Sequence, residues 1–237
     1  MENKWWEYYV VRYFVGTVVG ALLVAFLITE SGSPFAGHAS IIGSSAEANF
    51  LGVSLTAALG FAFCYIASSP ILTLHTARAH MRLSASQTSK LALFLKLMIP
   101  AFITVGVFWY FLPRAISVSL GLVIGTQFGF ILLAISTNFS VIEFFYRELA
   151  IARAEATPEK DQKPTAGIEY VTSYRHLREH GNAFMIVILE GVLAYALAHT
   201  PSLSCASVVL AIWLLPATFA WLAGTVLEIR FVSTPLP

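Results

Sequence analysis

The stretch ISVSLGLVIGTQFGFILLAISTNF at residues 116–139 decides the fold. It carries no charge, and crossing ~30 Å of hydrocarbon at about 1.5 Å per residue takes roughly 20 mostly apolar residues. Three further blocks read as transmembrane helices on the same ground: 8–29, 91–112 and 205–227. Two more are interrupted or shorter, 50–74 and 184–198. The expected fold class is therefore an all-α integral membrane protein, with six transmembrane helices forming a single polytopic domain over residues 1–237.

Threading the chain six times sorts its basic residues. Lys4 and Arg12 precede or open the first span. Arg78, Arg82, Lys90 and Lys96 follow the second, Arg147, Arg153, Lys160, Lys163, Arg175 and Arg178 follow the fourth, and Arg230 follows the sixth. Arg114 alone falls on the other side. Because cytoplasmic loops carry the excess of Lys and Arg, both termini are expected in the cytoplasm of a cell inner membrane. The first block is flanked by Trp5, Trp6, Tyr8 and Tyr9, an interfacial aromatic belt, and is expected to stay as a span rather than be cleaved.

Composition excludes several function classes. The chain is 57% hydrophobic and 11% charged, against a charged fraction of about 25% in soluble domains. A net charge of +1 leaves no nucleic-acid footprint; the expected partner is the lipid bilayer, whose anionic headgroups suit the juxtamembrane Lys and Arg. Asp161 is the only aspartate, so the clustered carboxylates that hold Mg²⁺ for pyrophosphate or sugar chemistry are missing, and so is a phosphate-binding loop. Cys64 and Cys205 lie at different depths and read as small buried hydrophobes rather than a disulfide. The chain is expected not to be an enzyme and to need no cofactor.

The quoted span has two unlike faces. Gly121, Gly125 and Gly129 recur every four residues, and such stripes let helix backbones approach closely in lipid. Gln127 lies about 200° around the helix from Gly125, with Asn138 near it at 100° per residue. Neither face suits lipid, so this span is expected at the centre of the protomer or at an oligomer axis. Gly16 and Gly20 give the first span a shorter version of the stripe. Pro70, Pro100 and Pro216 are expected to kink their helices.

Ionisable residues inside spans cost at least ~2.5–3.5 kcal/mol on insertion scales. Glu190 is the clearest of them, and Lys96 sits at a similar depth. A pair between the two, or a hydrogen bond from Glu190 to Gln127 or Asn138, is one expectation. The other is a permeation site built from Glu190, Lys96, Gln127 and Asn138. Either way Glu190 faces protein.

HLREH at residues 176–180 matches the H-x-x-E-H spacing of inverted zinc peptidases, but the third ligand that chemistry needs is missing. His75, His80, His176 and His180 are therefore read as interfacial, and remain the candidates should a zinc site exist. Residues 140–183 form a cytoplasmic arm too small for its own core. Its first part is expected to continue the fourth span as a helical extension, with nothing to break it before Ala156. No internal repeat and no clearly broken helix is evident, which weighs against an ordinary secondary transporter.

The expected function is non-enzymatic and acts through membrane permeability, as a homo-oligomeric channel, pore or small transporter. The alternative is a membrane-anchored effector or sensor subunit, as in toxin or antiviral defence systems, controlled by a soluble cytoplasmic protein docking on the 140–183 arm.

Overall fold

A computed structural model of the chain describes residues 5–36, 50–77, 90–140, 142–144 and 184–232. Every regular element among them is a helix: α1 Trp5–Thr29, α2 Phe50–Ser68, α3 Pro70–Thr76, α4 Lys90–Phe111, α5 Arg114–Ile135, α6 Phe184–Ala198 and α7 Leu203–Val232. Apolar residues run right around these helices instead of along one stripe, the pattern of segments buried in lipid or in a large core. Four segments are long and apolar enough to cross a membrane: Gly52–Leu74, Leu91–Phe111, Ile116–Ile135 and Leu203–Val226. Tyr13–Thr29 and Phe184–Ala198 are apolar but shorter.

The chain is thus a membrane-embedded helical protein. Its outer surface agrees, since Phe14, Leu22, Phe94, Phe102, Tyr110 and Leu215 all lie exposed, a surface that water would penalise and lipid tails would not. α4 is the outermost of the four long segments and α5 the most buried.

Two helical hairpins organise the bundle. In the first, α1 and α2 cross where glycines remove the side chains between them. A Cβ on Gly60 would stand 2.5 Å from the Thr17 carbonyl, and one on Gly20 would strike the Gly60 carbonyl. In the second, α4 and α5 pack along the glycine stripe: Gly121 faces Val105, Gly125 faces Ala101 and Pro100, and Gly129 faces Leu97. The close approach that the stripe permits is taken up inside the chain, by α4. At the hairpin turn the buried Ser117 hydroxyl lies 2.9–3.1 Å from the Phe108, Leu112 and Pro113 carbonyls. It thereby offers a donor to groups that the helix ends leave open.

The second span differs from the single helix expected over 50–74. It breaks at Ser69, and Pro70 opens α3 as a separate short helix packed on α5 and α7. A proline has no N–H, so the Ile66 carbonyl loses its usual donor four residues on. Two other groups replace it: the Ser69 N–H at 3.2 Å and the indole Nε1–H of Trp213, 3.1 Å away on α7. Trp213 is wholly buried. Pro100 and Pro216, by contrast, lie within helices that continue through them.

The fourth span also departs from expectation. It does not continue unbroken into the arm: α5 ends at Ile135, and helical structure resumes at Phe139. Ser-Thr-Asn offers the backbone competing partners. Ser136 and Thr137 turn their hydroxyls back to the Leu133 carbonyl at 3.0 and 2.7 Å. Asn138 Oδ1 then accepts from the Ser140 N–H at 3.2 Å, as a capping residue does at a helix start. The rest of the proposed arm, 145–183, lies outside the described residues.

Candidate functional site

The core gathers Leu27 of α1, Phe63, Cys64 and Ala67 of α2, Ile71 of α3, Ile116, Leu120 and Ile124 of α5, Ile186, Leu189 and Leu193 of α6, and Trp213 of α7. Into this apolar assembly the sequence inserts two large polar side chains. Glu190 of α6 is 0% exposed and Gln127 of α5 is 1% exposed.

Glu190 points from α6 toward the α1–α2 crossing. Its Oε1 lies 3.2 Å from where a Cβ on Gly20 would stand, and the Gly60 carbonyl borders the same empty position. One turn away, a Cβ on Gly16 would meet the Cys64 sulfur at 2.5 Å and Ile186 at 3.3 Å. The glycines thus do two things at once: they let α1 meet α2, and they leave room for the carboxyl. The polar group that reaches toward Glu190 is the Cys64 thiol. A thiol is a weak donor, and neither carboxyl oxygen has a hydrogen-bond partner of full geometry among the described residues.

Gln127 lies on the face of α5 that carries Ile116, Leu120 and Ile124 into the core, on a helix packed against α3, α4 and α7. Among the described residues its amide oxygen and nitrogen both lack hydrogen-bond partners, as does the buried Ser69 hydroxyl at the α2–α3 break. Buried polar groups are nearly always paired, and leaving one unpaired costs about 1–3 kcal/mol, more if it is charged.

The pairings expected for Glu190 do not form. Lys96 lies exposed on α4 and Asn138 exposed beyond the end of α5, where its side-chain oxygen is occupied by Ser140. Gln127 is buried but makes no hydrogen bond to Glu190. Of the four histidines, His75 belongs to α3, while His80, His176 and His180 lie outside the described residues. Among the described residues no three His, Cys, Asp or Glu side chains come together to hold a metal.

Sequence reasoning missed four contributors: Gly60, Cys64 as a neighbour of the carboxyl, Ser69 and Trp213. A signal for the first two was present. Gly52, Thr56, Gly60, Cys64 and Ser68 recur every four residues, a stripe of small side chains as regular as the one on α5. No family model, curated protein or solved structure matches the chain.

Proposed function

We propose that this protein acts through membrane permeability, as a small transporter or channel whose working group is Glu190. The observation that carries this reading is the carboxyl itself, wholly buried in an apolar bundle where, among the described residues, the weak Cys64 thiol reaches toward it and neither oxygen has a hydrogen bond of full geometry. An ionised carboxylate taken out of water without a partner costs several kcal/mol, and ionisable residues at membrane depth typically mark ion or proton pathways. The site is complete only when the carboxyl has bound something positive. A group that is sealed off and must be reached from outside favours a carrier that opens by turns over a standing water-filled pore.

The break at Ser69–Pro70 supports the same reading. Interrupted helices at membrane depth are tolerated where they are packed in protein, and in transporters they sit beside binding sites. Six spans, both termini in the cytoplasm, an inner-membrane location and assembly of several copies belong to this proposal. The distribution of Lys and Arg supports the orientation.

The test is induced expression in a bacterial host, with membrane potential and growth followed for wild type and Glu190→Gln at matched membrane levels. Depolarisation or growth arrest that the substitution removes is the expected result. Equal effects from both proteins would exclude Glu190 from the path.

A further inference from the structure

We propose that the particle carried at Glu190 is a proton, held on the carboxyl beside the Gly60 carbonyl in the space that Gly20 leaves open; this inference rests on the permeation reading above. The groups around the carboxyl decide between a proton and a metal cation. A dehydrated hard cation is held by several oxygens that replace its water: calcium takes about 6–8, and potassium filters present rings of carbonyls. Besides its own two oxygens, the polar groups that the described residues place at the Gly20–Glu190 contact are the Gly60 carbonyl, on the same gap, and the Cys64 thiol. The sulfur is soft and suits alkali or alkaline-earth ions poorly. Among the described residues no group of three or more His, Cys, Asp or Glu side chains forms that could hold a metal.

A proton fits the same surroundings. An ionised carboxylate only accepts hydrogen bonds, and a carboxylic acid also donates one. The neighbour across the Gly20 gap is a carbonyl, which is an acceptor. A carbonyl oxygen near a carboxyl repels the ionised form and can accept from the acid O–H. Among the described residues, the Cys64 thiol of α2 is the one titratable group that acts on Glu190. The cycle is then simple. The carboxylate takes up one proton from one side and releases it to the other, and no electron moves.

The role of Gly20 follows. A methyl group there would contact both the Gly60 carbonyl and the Glu190 carboxyl, so the space beside the carboxyl exists because position 20 has no side chain.

The purified full-length protein in phosphatidylethanolamine–phosphatidylglycerol vesicles tests the proposal. A potassium gradient with valinomycin sets the potential and a trapped dye reads internal pH; radioactive sodium and rubidium are followed in parallel vesicles without the ionophore. The expected result is proton uptake by wild type with no sodium or rubidium flux. Uptake should fall to the rate of protein-free vesicles in Glu190→Gln, a near-isosteric change checked for folding by gel filtration. Sodium or rubidium flux without proton flux would overturn the proton assignment and leave the permeation reading standing. Proton uptake undiminished in folded Glu190→Gln would overturn both the proton assignment and the role of Glu190 in permeation. No flux of any of these ions through wild type would overturn both.

Discussion

The α4–α5 hairpin and the meeting of α1, α2 and α6 use the same device to opposite ends. In both, glycines bring helix backbones close enough that an added Cβ would collide with the neighbouring chain. On α5 the stripe of Gly121, Gly125 and Gly129 presses against α4, and the polar group at its end, Ser117, has three carbonyls within reach. At Gly16, Gly20 and Gly60 the approach is equally tight, but a carboxyl stands beside it that, among the described residues, has only the weak Cys64 thiol reaching toward it. One contact is resolved and serves stability. The other retains a group that the fold would be more stable without, and such a local violation is where function is expected.

The comparison can be broken most forcefully at Gly125. A side chain there would be driven into the Ala101 backbone, which cannot yield as the tip of a flexible side chain can. Gly125→Leu should cost about 3 kcal/mol or more, the upper end for overpacking. Thermal unfolding in detergent reads it, and a melting temperature unchanged from wild type would show that α4 and α5 do not pack this way.

Gly20→Ala comes next and separates the two regions. Its Cβ would meet the Gly60 carbonyl and approach the Glu190 carboxyl, so a loss of about 1–3 kcal/mol is expected. Unlike Gly125→Leu, it should also abolish flux in molecules that remain folded. Flux that survives in proportion to folded protein would remove Gly20 from the site.

Trp213→Phe tests the α2–α3 break. It keeps a six-membered aromatic ring but removes the pyrrole ring and with it the donor to the Ile66 carbonyl, which retains the Ser69 N–H. A loss of about 1–3 kcal/mol is expected, from the hydrogen bond together with the volume removed from a buried site, again measured by thermal unfolding.

Gly106 is the smallest case. A Cβ there would meet nothing within 4 Å, so Gly106→Ala should stabilise α4 by up to about 1 kcal/mol through helix propensity alone. Destabilisation, or a change in particle size by light scattering, would place a second copy against this face.

Much of the fold was legible because lipid imposes a simple rule: backbone groups must be satisfied within a helix, so long apolar runs become helices. The packing face at Gly121, Gly125 and Gly129 could be read as a stripe, but not its recipient, since a stripe does not say whether α4 or another copy receives it. Pro70 was visible as a disturbance. That it ends a helix, where Pro100 and Pro216 do not, depends on Ser69 and on Trp213, far away in sequence, supplying a donor to the freed carbonyl. The break after α5 was present in Ser136, Thr137 and Asn138, whose side chains compete for the backbone, and was obscured by the apolar run before them. Glu190 stood out as a residue that must face protein. Its lack of a partner could not be read, because only tertiary structure decides what lies opposite a side chain.

The most direct test of the account is the stability of Glu190→Leu measured beside its activity. Replacing a buried, unpartnered carboxyl with an apolar side chain removes a desolvation cost of about 1–3 kcal/mol. The account predicts a melting temperature equal to or above that of wild type, together with complete loss of depolarisation. A clearly destabilised protein whose remaining folded fraction still depolarises the membrane would contradict it, and would make Glu190 a structural residue.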